Sequence, residues 1–153
     1  MAKEGEKLIA DNRRARHDYH LLDRFEAGVV LTGTEVKSLR EGNTSLQRAY
    51  GEVSENEAWL VGVHIPEYLQ GNRANHDPDR PRKLLLHRRE IDRLYGQVRE
   101  KGVTIVPTRM YFKDGRVKVE LALARGKELH DKRRDIAARD AKRQIERELG
   151  RRR

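Results

Sequence analysis

The chain has 153 residues and no cysteine, which excludes disulfides and thiolate metal sites. Only 36% of it is hydrophobic against 39% charged, no apolar run approaches the roughly 20 residues of a membrane span, and the N-terminus lacks an apolar signal core, so the expectation is a cytoplasmic protein with no membrane partner. The net charge of +9 favours polyanions, nucleic acid first, and +6 of it sits in the segment from Arg125 to Arg153.

Residues 1–11 are polar and read as a flexible lead. DYHLLDRFEAGVVL reads as a long strand in which Gly28 marks either a bulge or a close backbone approach. TGTEVKSLREG predicts a short helix: Thr32 and Glu35 have capping-box spacing and Gly42 supplies the stop. Val36 and Leu39 share one face of that helix, Lys37 and Arg40 another. TSLQRAYGEV and EAWLVGVHI predict two strands across a turn-like SEN. The stretch from Pro66 to Arg82 holds three of the four prolines and no periodicity, the mark of a functional or disordered loop.

RKLLL predicts another strand, and HRREIDRLYGQVREKG a helix with Ile91, Leu94, Tyr95 and Val98 on one face. VTIVPTRMYF and RVKVELALA form a predicted hairpin across Lys113, Asp114 and Gly115, with Pro107 at an edge or a bulge. No internal repeat is present. The sum is a mainly β fold: five or six mostly antiparallel strands and two short helices. A small closed or partly open barrel spanning residues 12–125 fits best, because closure disposes of sheet edges.

Residues 126–153 form a basic tail. From Asp131 to Leu149 nothing breaks a helix, and Asp135 to Arg139 is a favourable i,i+4 pair. Ala138, Ala141, Ile145 and Leu149 make only a thin apolar stripe, which leaves little to hold the helix on its own domain. The tail is therefore expected to be disordered when free and helical against an anionic surface, with Gly126 as hinge. A merely solvated basic tail is the other reading.

Three His-Asp dipeptides, at His17, His76 and His130, invite a metal-hydrolase reading. Adjacent residues point apart on strands and helices, so none is a chelate, and neither H-E-x-x-H nor G-x-S-x-G occurs. NRRARHDYH interleaves basic residues with rings that stack on bases, or is a solvated lead into the first strand. RPRKLLLHRRE repeats the pattern, and Leu85, the middle leucine, faces outward if the strand alternates. There it packs on a base or ribose, or covers a satellite core. Glu26 is an ion-pair partner or an acceptor for base amino and ribose hydroxyl groups.

NRRARHDY, FEAG followed by GTEVKSLREG, EAWL, QGNRANHDP, RKLLLHRREIDRL, YFKDGRVKVELALARGK and HDKR, in this order, closely resemble small protein B, the SsrA-binding protein family of bacteria. The resemblance runs from about Asn12 to the end. It implies an OB-like barrel, no catalysis and no cofactor or metal. The implied partner is transfer-messenger RNA in trans-translation, gripped around the elbow and D-loop of its tRNA-like domain. Alanyl-tRNA synthetase acts on that RNA, elongation factor Tu carries the complex, and the ribosome's decoding site and message channel receive the tail, which stands in for codon–anticodon pairing. By resemblance the RNA-binding positions are Asn12, Glu26 and Leu85. Arg13, Arg14, His17, Lys37, Arg40, Lys83 and His87 join them from the residue reading. Gly126, Lys127, His130, Asp131, Lys132 and Arg133 match the segment tied to accommodation, with His130 expected to stack on a decoding base. Glu128-Leu129 departs from that pattern, where a lysine or other polar residue is expected. The competing reading is a general OB-type single-stranded RNA-binding or ribosome-associated protein, against which the 5% aromatic content counts.

Overall fold

A computed structural model describes residues 5–70, 75–100, 102–127 and 129–151, with backbone alone at 129–132, 135 and 151. Among the described residues seven strands form one sheet: β1 (Glu6–Asp11), β2 (Tyr19–Val29), β3 (Tyr50–Val53), β4 (Ala58–Val61), β5 (Arg82–Leu85), β6 (Val103–Lys113) and β7 (Arg116–Gly126). Four helices accompany them: α1 (Arg13–Asp18), α2 (Gly33–Glu41), α3 (Arg88–Gln97) and α4 (Leu129–Arg151).

All described pairings are antiparallel, and they close a ring of six strands in the order β6, β3, β4, β5, β2, β7 and back to β6. The barrel is therefore closed, by the narrowest of seams. β3 meets β6 only at Gly51 and Ile105, while β1 takes the rest of that edge from Arg109 to Lys113. Closure needs bent strands, and the ladder of β6 with β7 slips between Pro107 and Arg109. The proline, which has no N–H to give, sits at that bulge as its chemistry requires. Asp114 and Gly115 turn the hairpin with positive φ.

Alternation along the strands sends Val117, Val119, Leu121 and Leu123 of β7 inward, with Phe25 and Ala27 of β2 and Ile105 and Met110 of β6. Leu39 of α2 and Leu94 of α3 belong to the same core. The expected capping box of α2 is present: Glu35 N–H donates to Thr32 Oγ1 and Thr32 N–H to Glu35, and Gly42 ends the helix at φ 81°. Gly28 is no bulge. A Cβ there would lie 3.3 Å from Leu85, so the close-approach reading holds, and the irregularity in β2 falls between Leu21 and Arg24.

Three expectations change. Residues 1–11 were expected to be a flexible lead, yet Glu6–Asp11 is β1, whose pairing with β6 is made by backbone and leaves no strong side-chain pattern. NRRARHDYH contains the unexpected helix α1; its Ala15 is buried with Val106 and Ala124 in a small second core outside the barrel. TSLQRAYGEV is a strand only from Tyr50, with Ser45 bridging His64 before it.

The tail carries its expected helix, α4. Its residues are strong helix formers over about six turns, which lowers the need for tertiary support. Some support exists as well: Ala138 and Arg139 face Arg13, Arg16 and His17 of α1 across a shallow groove. The expected Asp135 to Arg139 pair lies outside the described side chains, and Asp140 to Arg143, at 4.0 Å, is present instead.

Candidate nucleic-acid interface

The outer face of β2, β5, β6 and β7 is built by registry. Gly28 lies opposite Leu85 on one side and Lys118 on the other, and Lys118 lies opposite Tyr111. Two residues along, Glu26 lies opposite Glu120, which lies opposite Arg109. Because side chains two apart share a face, Lys83 joins Leu85 on β5. Leu84 is buried and Leu85 is 55% exposed, as the triple leucine predicts for an alternating strand.

Charges on this face are wired together. Arg109 donates to Glu120 at 2.7 Å and to Glu6 at 3.1 Å, Arg24 donates to Glu120 at 2.9 Å, and the Arg109 guanidinium lies 4.4 Å from the centre of the Tyr111 ring. Tyr111 donates its hydroxyl hydrogen to Glu26, and Lys113 Nζ lies 3.3 Å from both Glu26 oxygens. The Tyr111 bond does most to hold the Glu26 carboxyl below the ordinary glutamate range, with help from Lys113 and Lys118 against partial burial. Glu26 is thus an ionised acceptor, held in one orientation and still half-exposed. Tyr111, Lys113, Lys118, Arg109 and Arg24 escaped the sequence reading, although the alternation of RVKVELA and YFK puts Lys118 on one face of its strand and Tyr111 and Lys113 on one face of theirs.

Asn12 is placed differently from the resemblance. Its side chain is buried, donating to Pro107 O at 2.8 Å and Leu46 O at 3.2 Å and accepting from Ala15 N–H at 3.2 Å. Both amide hydrogens are used, so Asn12 pins α1 to the barrel rather than facing solvent. α1 then presents Arg13, 93% exposed, with Arg14 on Asp18 at 3.2 Å and His17 Nδ1 2.9 Å from Asp18. Lys37 and Arg40 are exposed on α2, each 5.7 Å from a ring, Tyr68 and Phe112 respectively. Lys83 lies 3.7 Å from Glu57, and exposed His87 caps α3 through its backbone. Glu26, Leu85 and Lys83 therefore share one face, Arg40 lies on α2 over Phe112, and Arg13, Arg14 and His17 lie on α1, which Asn12 caps.

At the junction with the tail, Gly126 ends β7 opposite Tyr19. Lys127 N–H donates to Asp18 O at 2.9 Å and Lys127 Nζ to Arg16 O at 3.1 Å. Arg133 is exposed, whereas the side chains of His130, Asp131 and Lys132 lie outside the described residues.

The loop after Pro66 hangs on a buried ion cluster. Glu35 and Arg82 have side chains 0% and 1% exposed, joined at 2.7 Å, and Arg80 donates to the same carboxylate. Arg82 also donates to the carbonyls of Val63, Pro78 and Asp77. His76 is buried between Thr34 Oγ1 at 2.9 Å and Ile65 O at 2.8 Å. The Ile65 carbonyl can only accept, so Nε2 carries the proton of that bond. This histidine is a structural cross-brace. Among the described residues no group of three acidic or histidine side chains is placed to hold a metal.

The family model described as SmpB protein matches residues 9–151. The chain belongs to the SmpB family. It is 61% identical over 153 residues to the SsrA-binding protein of Acidothermus cellulolyticus, covering 99% of this chain and 96% of that one. Against the SsrA-binding protein of Nocardia farcinica it is 61% identical over 152 residues, covering 99% and 95%. A solved SmpB-family chain, from work on tmRNA and SmpB in the bacterial ribosome, superposes with a TM-score of 0.66 at 49% identity, covering 78% of this chain and 84% of that one. No described helix is long and apolar enough to cross a membrane.

Proposed function

We propose that this chain binds the tRNA-like domain of transfer-messenger RNA and delivers it to stalled ribosomes for trans-translation. The observation that carries the proposal is the outer face where exposed Leu85, ionised Glu26 and the cations Lys83, Lys113 and Lys118 meet on rigid strands. An apolar wall, a fixed acceptor and phosphate-seeking cations are what recognition of folded RNA with unpaired bases requires. The 61% identity to proteins called SsrA-binding supports the same partner. In this reading the barrel grips the RNA elbow and D-loop, assisted by α1 and Arg40. α4, about 34 Å long at 1.5 Å per residue, enters the vacant decoding site and message channel in place of codon–anticodon pairing. The role is adaptor binding in the cytoplasm, with elongation factor Tu in the complex and no catalytic step.

The test separates body from tail. Purified chain at 150 mM salt is titrated with the tRNA-like domain, an ordinary tRNA and an unstructured RNA of equal length. The expected result is a preference for the first of about a hundredfold, or about 2.7 kcal/mol; equal affinity for all three overturns the proposal in favour of a general RNA binder. Truncation after Arg125 should leave that affinity intact and abolish peptide tagging on stalled ribosomes. Loss of RNA binding on truncation would refute the division of labour.

A further inference from the structure

The first strand reaches into the wiring of the outer face. Along β6, Arg109, Tyr111 and Lys113 share that face, and Glu6 of β1 lies opposite Lys113. Arg109 and Lys113 stand about 14 Å apart along the strand, yet Arg109 Nη1 donates to Glu6 at 3.1 Å. Such a bond forms only if the arginine lies along the strand. Its path crosses Tyr111, and the guanidinium stands 4.4 Å from the centre of that ring. Asp11, the acid opposite Arg109 in register, instead accepts from Arg16 at 2.5 Å. From the other side Glu120 accepts from Arg109 Nε at 2.7 Å and from Arg24 at 2.9 Å. The Glu6 side chain is only 3% exposed, too enclosed for solvent to screen its pull on the guanidinium.

We infer that Glu6 is a positioning residue for Glu26: its bond straps Arg109 across Tyr111 and so strengthens the hydroxyl that donates to the Glu26 carboxylate. A cation over the face of a phenol is attracted by the ring's electrons and polarises them. The O–H becomes the better donor, and hydrogen bonds linked in this way reinforce one another. Without Glu6, Arg109 keeps Glu120 alone, turns away from the ring, and the hydroxyl loses that polarisation. The other groups facing Glu26 remain: Lys113 from β6, and Lys118 and Glu120 from β7. Glu6 itself touches no RNA, and its consequence for binding rests on reading this face as the RNA interface. The polar lead of the sequence thus supplies a working part of the barrel.

The experiment follows the Glu26 carboxyl carbon by NMR through a pH titration of the full chain, of Glu6→Gln and of Arg109→Lys. The lysine keeps the charge but has no fork with which to hold two carboxylates. Simple electrostatics runs against the inference: removing the Glu6 charge leaves Arg109 less neutralised, which favours ionised Glu26 and lowers its midpoint. Weaker donation from Tyr111 raises it. The expected result is a raised midpoint in both variants, with the rise absent when Glu6→Gln is combined with Tyr111→Phe. A midpoint unchanged or lowered in Glu6→Gln overturns the inference, and so does a rise that persists without the Tyr111 hydroxyl. In parallel, Glu6→Gln is expected to bind the tRNA-like domain about threefold more weakly at pH 7, the scale of one cation–π contact. A raised midpoint with unchanged affinity leaves the strap standing and overturns the interface reading instead.

Discussion

Replacing Glu35 by Gln tests the buried ion cluster beneath the loop that follows Pro66. The carboxylate is fully buried and takes hydrogen bonds from Arg82 Nε at 2.7 Å, Thr32 N–H at 2.8 Å and Arg80. Glutamine keeps the shape and one acceptor, but turns an NH2 toward a guanidinium and removes the charge that neutralises Arg82, which is then left with carbonyl partners. Breaking a buried pair from one side costs about 3–5 kcal/mol. At about 4 °C per kcal/mol for a domain of this size, Tm should fall by about 12–20 °C. Urea denaturation is the assay, with a lowered midpoint and an unchanged m-value as the signature. A loss below about 1 kcal/mol would refute the assignment of stability to this cluster. Acid sharpens the test. Burial pushes the Glu35 carboxyl up, but bonds from Arg80, Thr32 N–H and Arg82 outweigh it and leave the folded value below the ordinary glutamate range. A lowered folded value means that stability is present above the unfolded pKa and is lost as pH falls through the folded one. The gap between the unmutated chain and Glu35→Gln should therefore narrow on acidification.

Asn12→Ala strips Pro107 O and Leu46 O of a donor and α1 of its cap, so it should cost about 2–3 kcal/mol; amide exchange in α1 should accelerate before exchange in β6 or β7. Gly62 sits at φ 84° with its missing Cβ 2.5 Å from Arg48 O, so Gly62→Ala should destabilise by about 1–3 kcal/mol by thermal melting, and a neutral result would contradict that backbone geometry. Tyr111→Phe removes the bond that does most to lower the Glu26 pKa. RNA affinity of that variant should fall at a higher pH on acidification than that of the unmutated chain, and coincident pH profiles would show that Tyr111 does not hold the carboxylate.

What could be read from the residues was what neighbouring positions specify. Thr32, Glu35 and Gly42 declare a helix within eleven residues, Asp114-Gly115 declares a turn, and the triple leucine forces one member outward. What could not be read depends on distant partners. Glu35 meets Arg80 and Arg82 across 45 and 47 residues, and no local spacing separates that acid from an ordinary helix-capping glutamate. β1 is recognised by the free edge of β6, and α1 by an outer pocket at Val106 and Ala124 that exists only once the barrel has formed. Asn12 shows the same limit: a polar residue inside an Arg-rich run reads as a contact for RNA, and only the fold reveals that its amide is committed to the chain's own carbonyls.

The root of the tail also has a mechanical meaning. Gly126 and Arg125 close the last rungs of β7 against both Tyr19 of β2 and Val103 of β6, and Lys127 adds its bonds to the end of α1. Inter-strand hydrogen bonds run perpendicular to the strands. Tension drawn along β7 therefore loads two ladders sideways and together, instead of peeling one bond at a time. A body tethered through such a root can be hauled by its tail, or haul on it, without the barrel opening at the point of attachment.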